Sequence, residues 1–141
     1  KAINIANIVA MSLSDQFCVD RHKPHFLDLV KNKLDITFAN EQEITSLIEA
    51  KNFNDVINFS KHLNKLVIVT RGEKGAIAIK GNEVIESGIQ ENLNILDLTG
   101  AGDLFAAGFL HGYINELPTK ECLKKGTEMS SRVIQQIGAR L

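Results

Sequence analysis

Several things are missing from this chain, and each absence removes a class of protein. Its two cysteines, Cys18 and Cys122, lie far apart and form no CxxC pair. A disulfide framework is therefore excluded, and reduced cytoplasmic thiols are expected. No apolar run approaches the roughly 20 residues that a bilayer-spanning helix requires. The longest are short, such as Leu66 to Val69 and Leu104 to Leu110. Net charge is −1 and no basic stripe with interleaved aromatics occurs, so nucleic acid is not an expected partner. No secretory leader, internal repeat, low-complexity segment or linker is apparent, and residues 1–141 read as a single domain.

What remains is an ordinary globular composition. The chain is 44% hydrophobic and 23% charged, enough apolar residues for a packed core and too few charges for a disordered chain. It opens with Lys1 inside KAINIANIVAMSLSD, which reads as the end of a helix feeding a strand. An N-terminal region is therefore expected to precede it.

Apolar periodicity predicts a succession of strands and helices. Residues 8–13 form a buried strand ending at Ser14-Asp15, followed by a loop. A helix begins near Pro24, a residue suited to a first turn. Asp35 to Ala39 is a short strand, and Asn40 caps the helix EQEITSLIEA. A further helix spans about Asn54 to Leu63. Leu66 to Thr70 is the clearest buried strand, and Arg71 to Gly75 a glycine-bounded turn. Ala76 to Lys80 and Glu83 to Ile85 form a hairpin around Gly81-Asn82. Leu93 to Leu96 is a strand, and a helix runs from about Gly102 to Asn115. Thr119 caps a last helix reaching about Ile137, closed by Gly138. Strands alternating with helices predict an α/β fold with a mostly parallel sheet and an added antiparallel hairpin.

The informative segment is LDLTGAGDLFAAGF, residues 96–109. A strand ends at Asp97, small residues turn the backbone tightly, and a helix opens at about Gly102. The first N–H groups of a helix have no intrahelical partner and point outward with the positive end of the macrodipole, a ready anion site. Asp103 in that first turn has two readings. It stabilises the helix dipole, or it accepts the proton of an attacking hydroxyl beside the anion-binding amides, the two parts that phosphoryl transfer needs. A dinucleotide fingerprint fits poorly, because Phe105 stands where the third small residue belongs and no strand with a ribose-binding acid follows. A P-loop also fails, since no Gly-Lys-Ser/Thr follows the glycine turn.

Asp97-Leu98-Thr99-Gly100-Ala101-Gly102-Asp103 resembles D-T-x-G-A-G-D, the second signature of the ribokinase-like (PfkB) sugar and nucleoside kinases. Leu98 departs from it where the family usually has Thr. The resemblance implies a three-layer α/β/α fold, with Asp103 as catalytic base and the amides of Gly100, Ala101 and Gly102 as anion hole. Two more segments follow in the family's order. Asn40-Glu41-Gln42-Glu43 resembles its N-x-x-E motif, which helps place Mg²⁺ and the phosphates of ATP, Glu43 acting through water; by itself it also reads as a plain capping box. Thr70-Arg71-Gly72-Glu73-Lys74-Gly75 resembles its nucleotide loop, implying Thr70, Gly72 and Gly75 at the nucleotide; by itself it also reads as an ordinary glycine turn.

The resemblance also implies, in those members that have one, a monovalent cation such as K⁺ held by Asp97 and Thr99, with the Gly138-Ala139 turn opposite. Asp97 equally reads as a turn cap. Residues 12–22, SLSDQFCVDRH, are similar to a bacterial adenosine kinase-like branch. Together these similarities imply the C-terminal, nucleotide-binding and catalytic part of a cytoplasmic kinase. It would use ATP and Mg²⁺ on a sugar or nucleoside such as adenosine or ribose. The N-terminal part with the lid would lie outside the chain, and the full-length protein would pair as a homodimer. The rival expectation is a nucleotide-binding fragment with no turnover of its own. His22 and His25 lack the pattern of a zinc site, and Lys120, Lys124 and Lys125 read as the solvated face of the last helix.

Overall fold

The computed structural model describes residues 6–140. The helix end expected at Lys1 lies largely outside them. In chain order the elements are β1 (Ala10–Ser12), α1 (Gln16–Arg21), α2 (Lys23–Asp28), a π-helix (Leu29–Lys33), β2 (Ile36–Asn40), α3 (Glu41–Ile48), α4 (Phe53–Leu63) and β3 (Leu66–Thr70). A 3₁₀ turn (Gly72–Lys74), β4 (Ala76–Lys80), β5 (Glu83–Ser87), α5 (Ala101–Ile114) and α6 (Thr119–Val133) follow. The five strands lie in sequence order in one sheet. β1, β2 and β3 are parallel, with Ala10 opposite Ile36 and Ile36 opposite Leu66. β4 and β5 are neighbours joined by two residues, a link that only an antiparallel pair permits. The sheet is therefore mixed and the fold α/β, as expected.

The chain divides into two compact units. The first comprises residues up to Thr70 together with Ala78–Val84. Its core is built on β2 and β3, whose first four residues are all buried, the pattern of parallel strands covered on both faces. Val67, Ile68 and Val69 are fully inaccessible, as are Ile44 and Leu47 of α3 and Val56 of α4. Both α3 and α4 begin with a complete capping box, Asn40 with Glu43 and Asn52 with Asp55. Both end on a left-handed residue, Glu49 and Asn64.

The second unit comprises Arg71–Ile77 and residues from Ile85 on. It is organised by α5 packed on α6. A Cβ at Gly108 would stand 2.5 Å from the Lys125 carbonyl oxygen, and one at Gly126 would stand 2.9 Å from that of Phe105. Small residues are what let these two backbones approach so closely. Phe109 and Leu123 are fully buried there.

Several expectations are corrected. Leu93 to Leu96 is not a strand; the amides of Leu96 and Asp97 both donate to the Ile134 carbonyl, at 2.8 and 3.2 Å, instead of to a strand ladder. The expected loop after β1 contains α1, because the Asp15 carboxylate accepts the Phe17 amide as an N-cap. The last helix ends at Val133, short of Ile137, so Gly138 closes no helix; its φ of 93° belongs to a later turn. Thr119 is the first residue of α6, and the cap position is Pro118, with no side-chain cap bond.

Candidate functional site

In the first unit, the sheet brings two predicted residues together. Asn40 and Thr70 are register partners at the carboxyl ends of β2 and β3, the edge of an open α/β sheet at which ligands bind. Asn40 then turns the chain into α3, its side-chain oxygen accepting the Glu43 amide at 2.8 Å. Glu43 returns the bond: one carboxylate oxygen accepts the Asn40 amide and the other its Nδ2, both at 2.9 Å. Glu43 is 5% exposed. Burial pushes its carboxyl above the ordinary value, the Asn40 bond pulls it back, and the Asp15 charge pushes it further up. Both oxygens thus serve the capping box, each keeping a lone pair, an arrangement that suits contact with a hydrated cation through water better than direct ligation.

In the second unit, the turn carrying Gly72 and Gly75 is closed by the Arg71 amide on the Gly75 carbonyl at 2.8 Å and the Gly75 amide on the Gly72 carbonyl at 3.0 Å. Gly75 has φ 81°, and a Cβ there would lie 2.1 Å from the Ser87 carbonyl oxygen, so only glycine fits.

The predicted anion site lies at the start of α5. Gly100 is the N-cap in left-handed conformation, φ 80° and ψ 0°. A Cβ there would meet the Ala139 Cβ at 2.7 Å, so Ala139 packs against the Gly100 backbone. The Ala101 amide is used by the Leu98 carbonyl and the Leu104 amide by the Gly100 carbonyl. Between them the amides of Gly102 and Asp103 fall in the turn where a helix supplies no acceptor. Among the described residues neither has a backbone partner outside the helix. Space around the Gly102 Cα is open. The Asp103 side chain is exposed, in the first turn of the same helix.

Asp97 ties the loops around this helix start. One carboxylate oxygen accepts both the Thr99 hydroxyl (2.7 Å) and the Thr99 amide (2.9 Å); the other accepts the Gly138 amide (3.0 Å). The Thr99 hydroxyl, then the Gly138 and Thr99 amides, hold its carboxyl below the ordinary value. Three of about four lone-pair sites are in use, leaving one for a cation. The Ile134 carbonyl that anchors Leu96 and Asp97 was not foreseeable, since any residue type supplies one.

A family model described as "pfkB family carbohydrate kinase" matches residues 2–141. The chain belongs to the pfkB family of carbohydrate kinases. Its fold is the ribokinase-like α/β fold of that family. The cytidine kinase of Thermococcus kodakarensis is 35% identical over 112 residues, 77% of this chain and 40% of that protein. A probable sugar kinase from Rhizobium etli is 42% identical with a TM-score of 0.90, covering 94% of this chain and 41% of that one. The adenosine kinase from Sinorhizobium meliloti is 41% identical with a TM-score of 0.91, covering 95% and 41%. The chain thus spans about two fifths of the length of these three proteins.

Proposed function

We propose that this chain is the nucleotide-binding and catalytic part of a kinase that transfers the γ-phosphoryl of ATP to a hydroxyl of a sugar or nucleoside. The observation that carries this reading is the start of α5: the amides of Gly102 and Asp103 without helical acceptors, and an exposed carboxylate on Asp103 in the same turn. Asp103 accepts the hydroxyl proton as the acceptor oxygen attacks. The amides of Gly102 and Asp103, presented by the left-handed turn at Gly100, hold charge that builds on the transferring phosphoryl, the main demand of this reaction.

In the first unit, Asn40 and Glu43 organise metal and phosphate, and Thr70 lines the nucleotide site. In the second unit, the turn of Gly72 and Gly75 is a nucleotide-loop candidate in its own right. Bound Mg²⁺ would neutralise phosphate charge, keeping several of its own waters, to which the spare lone pairs of Glu43 are suited. The last free lone pair of Asp97 and the hydroxyl of Thr99 are hard oxygen donors of the kind K⁺ takes. A nucleoside such as adenosine is the favoured acceptor, on the likeness to an adenosine kinase and a cytidine kinase. The two non-CxxC cysteines support a reducing, cytoplasmic setting.

A second reading rests on one fact: the chain spans about two fifths of its relatives' length. On that reading it binds nucleotide without turnover. Titration calorimetry with ATP and Mg²⁺, beside a coupled assay of ADP release, separates the two. In the full-length enzyme Asp103→Asn should lower turnover about a hundredfold or more, with ATP affinity nearly unchanged. Turnover like that of the wild type would remove Asp103 as the base.

A further inference from the structure

We propose a second small-molecule site in the first unit, for an amphipathic organic anion with a hydrocarbon body and a carboxylate head. An open groove of about 350 Å³ is lined by α2, the π-helix, the C-terminal end of α3 and Phe59 of α4. That volume is in the range of small-ligand sites. Its lining is mainly apolar, from Pro24, Leu27, Ile48 and Phe59, with the fully buried Leu47 behind them. Its charged lining is Lys23, Lys31 and Glu49, a net positive rim.

The local backbone is unusual on two sides of the groove. Lys31 is carried by a π-helix, closed by the Leu34 amide on the Leu29 carbonyl at 2.9 Å. Such insertions re-aim side chains and recur at functional sites. Glu49 ends α3 with φ 55° and ψ 40°, a left-handed position that glycine or asparagine takes more easily. Glutamate there costs the helix end some stability and places a carboxylate at the groove mouth.

That carboxylate holds Lys23, with Nζ 3.3 Å from Oε1. Glu49 is 78% exposed in its side chain and Lys23 26%. So exposed a pair is weak and easily exchanged. Lys31 makes no ion pair among the described residues. An incoming carboxylate therefore meets one free ammonium and a second held only by a replaceable surface partner. Its hydrocarbon body lies against Leu27, Ile48 and Phe59.

The test is calorimetric titration of the full chain with sodium octanoate and with 1-octanol, each with and without ATP. Octanoate should bind saturably at about millimolar concentration, as expected for so small a ligand. Octanol should bind about tenfold more weakly, and Lys31→Glu should weaken octanoate about tenfold, one charge-assisted contact's worth. Glu49→Gly, which frees Lys23, should tighten it. ATP should not compete, which keeps this test apart from the nucleotide site. Absence of saturable octanoate binding, equal affinity in Lys31→Glu with an unchanged melting temperature, or displacement by ATP would each overturn the proposal. So would sedimentation showing two copies joined through this face.

Discussion

The Asp97 carboxylate accepts the Gly138 amide at 3.0 Å, joining positions 41 residues apart, while its other oxygen closes the Thr99 turn. This single side chain therefore fixes the approach to α5 and the segment beyond α6 at once. Its loss should be felt in both.

The tie should be pH-dependent in a defined direction. The folded carboxyl lies below its ordinary value, so its contribution is complete above the ordinary aspartate pKa of about 3.9 and lost as pH falls through the folded value. The Gly138 amide proton, followed by NMR, should move with a midpoint below that ordinary value. Asp97→Asn should abolish the titration. A midpoint at or above the ordinary value would contradict the geometry.

Glu43 should behave in the opposite sense. Its folded pKa is raised, mainly by burial, so the native state holds its proton where the unfolded chain has released it. Stability contributed by this group falls as pH rises from about 4.3 through the folded value. Glu43→Gln keeps one capping acceptor and has no proton to lose. Denaturant melts at pH 5 and pH 8 should show the stability difference shifting toward Gln at the higher pH.

Two glycines separate packing from chemistry. Gly108→Ala forces a Cβ to 2.5 Å from the Lys125 carbonyl oxygen and should cost about 1–3 kcal/mol by overpacking α5 on α6. Gly102→Ala meets nothing within 4 Å and should leave stability unchanged or raised by about 0.5 kcal/mol. On the proposed function the same change crowds the phosphoryl-holding amides. Turnover of the full-length enzyme should drop while the melting curve does not. Equal turnover in Gly102→Ala would count against that placement.

What could be read early was local. The capping box of Asn40 and Glu43 joins residues three positions apart, and its partners are named by their types. Leu66 to Thr70 is a short β-branched run, and Gly81-Asn82 a turn pair; both appear as β3 and the link between β4 and β5. The family signature at Asp97 to Asp103 was legible because tight turns and close approach restrict residue type, as at Gly100, where φ is 80° and Ala139 leaves no room for a Cβ.

The misread segments share a different cause. Leu93 to Leu96 is apolar enough for a strand, yet Ile95 and Leu96 are 59% and 57% exposed, and the backbone bonds to a single carbonyl at Ile134. Apolar content reports a tendency to be buried, not which partner supplies the hydrogen bonds. The π-helix at Leu29–Lys33 and the left-handed Glu49 are likewise unmarked by residue type.

Residue order alone therefore determined the α/β alternation, the Asn40 cap of α3 and the glycine-flanked start of α5, because each depends on forces acting within a few residues. Folding in three dimensions decided that Asn40 stands beside Thr70, that Asp97 holds Gly138, and that Lys23, Lys31 and Glu49 rim one groove. Those pairings depend on which distant backbones pack together, a choice made by the burial of the whole core.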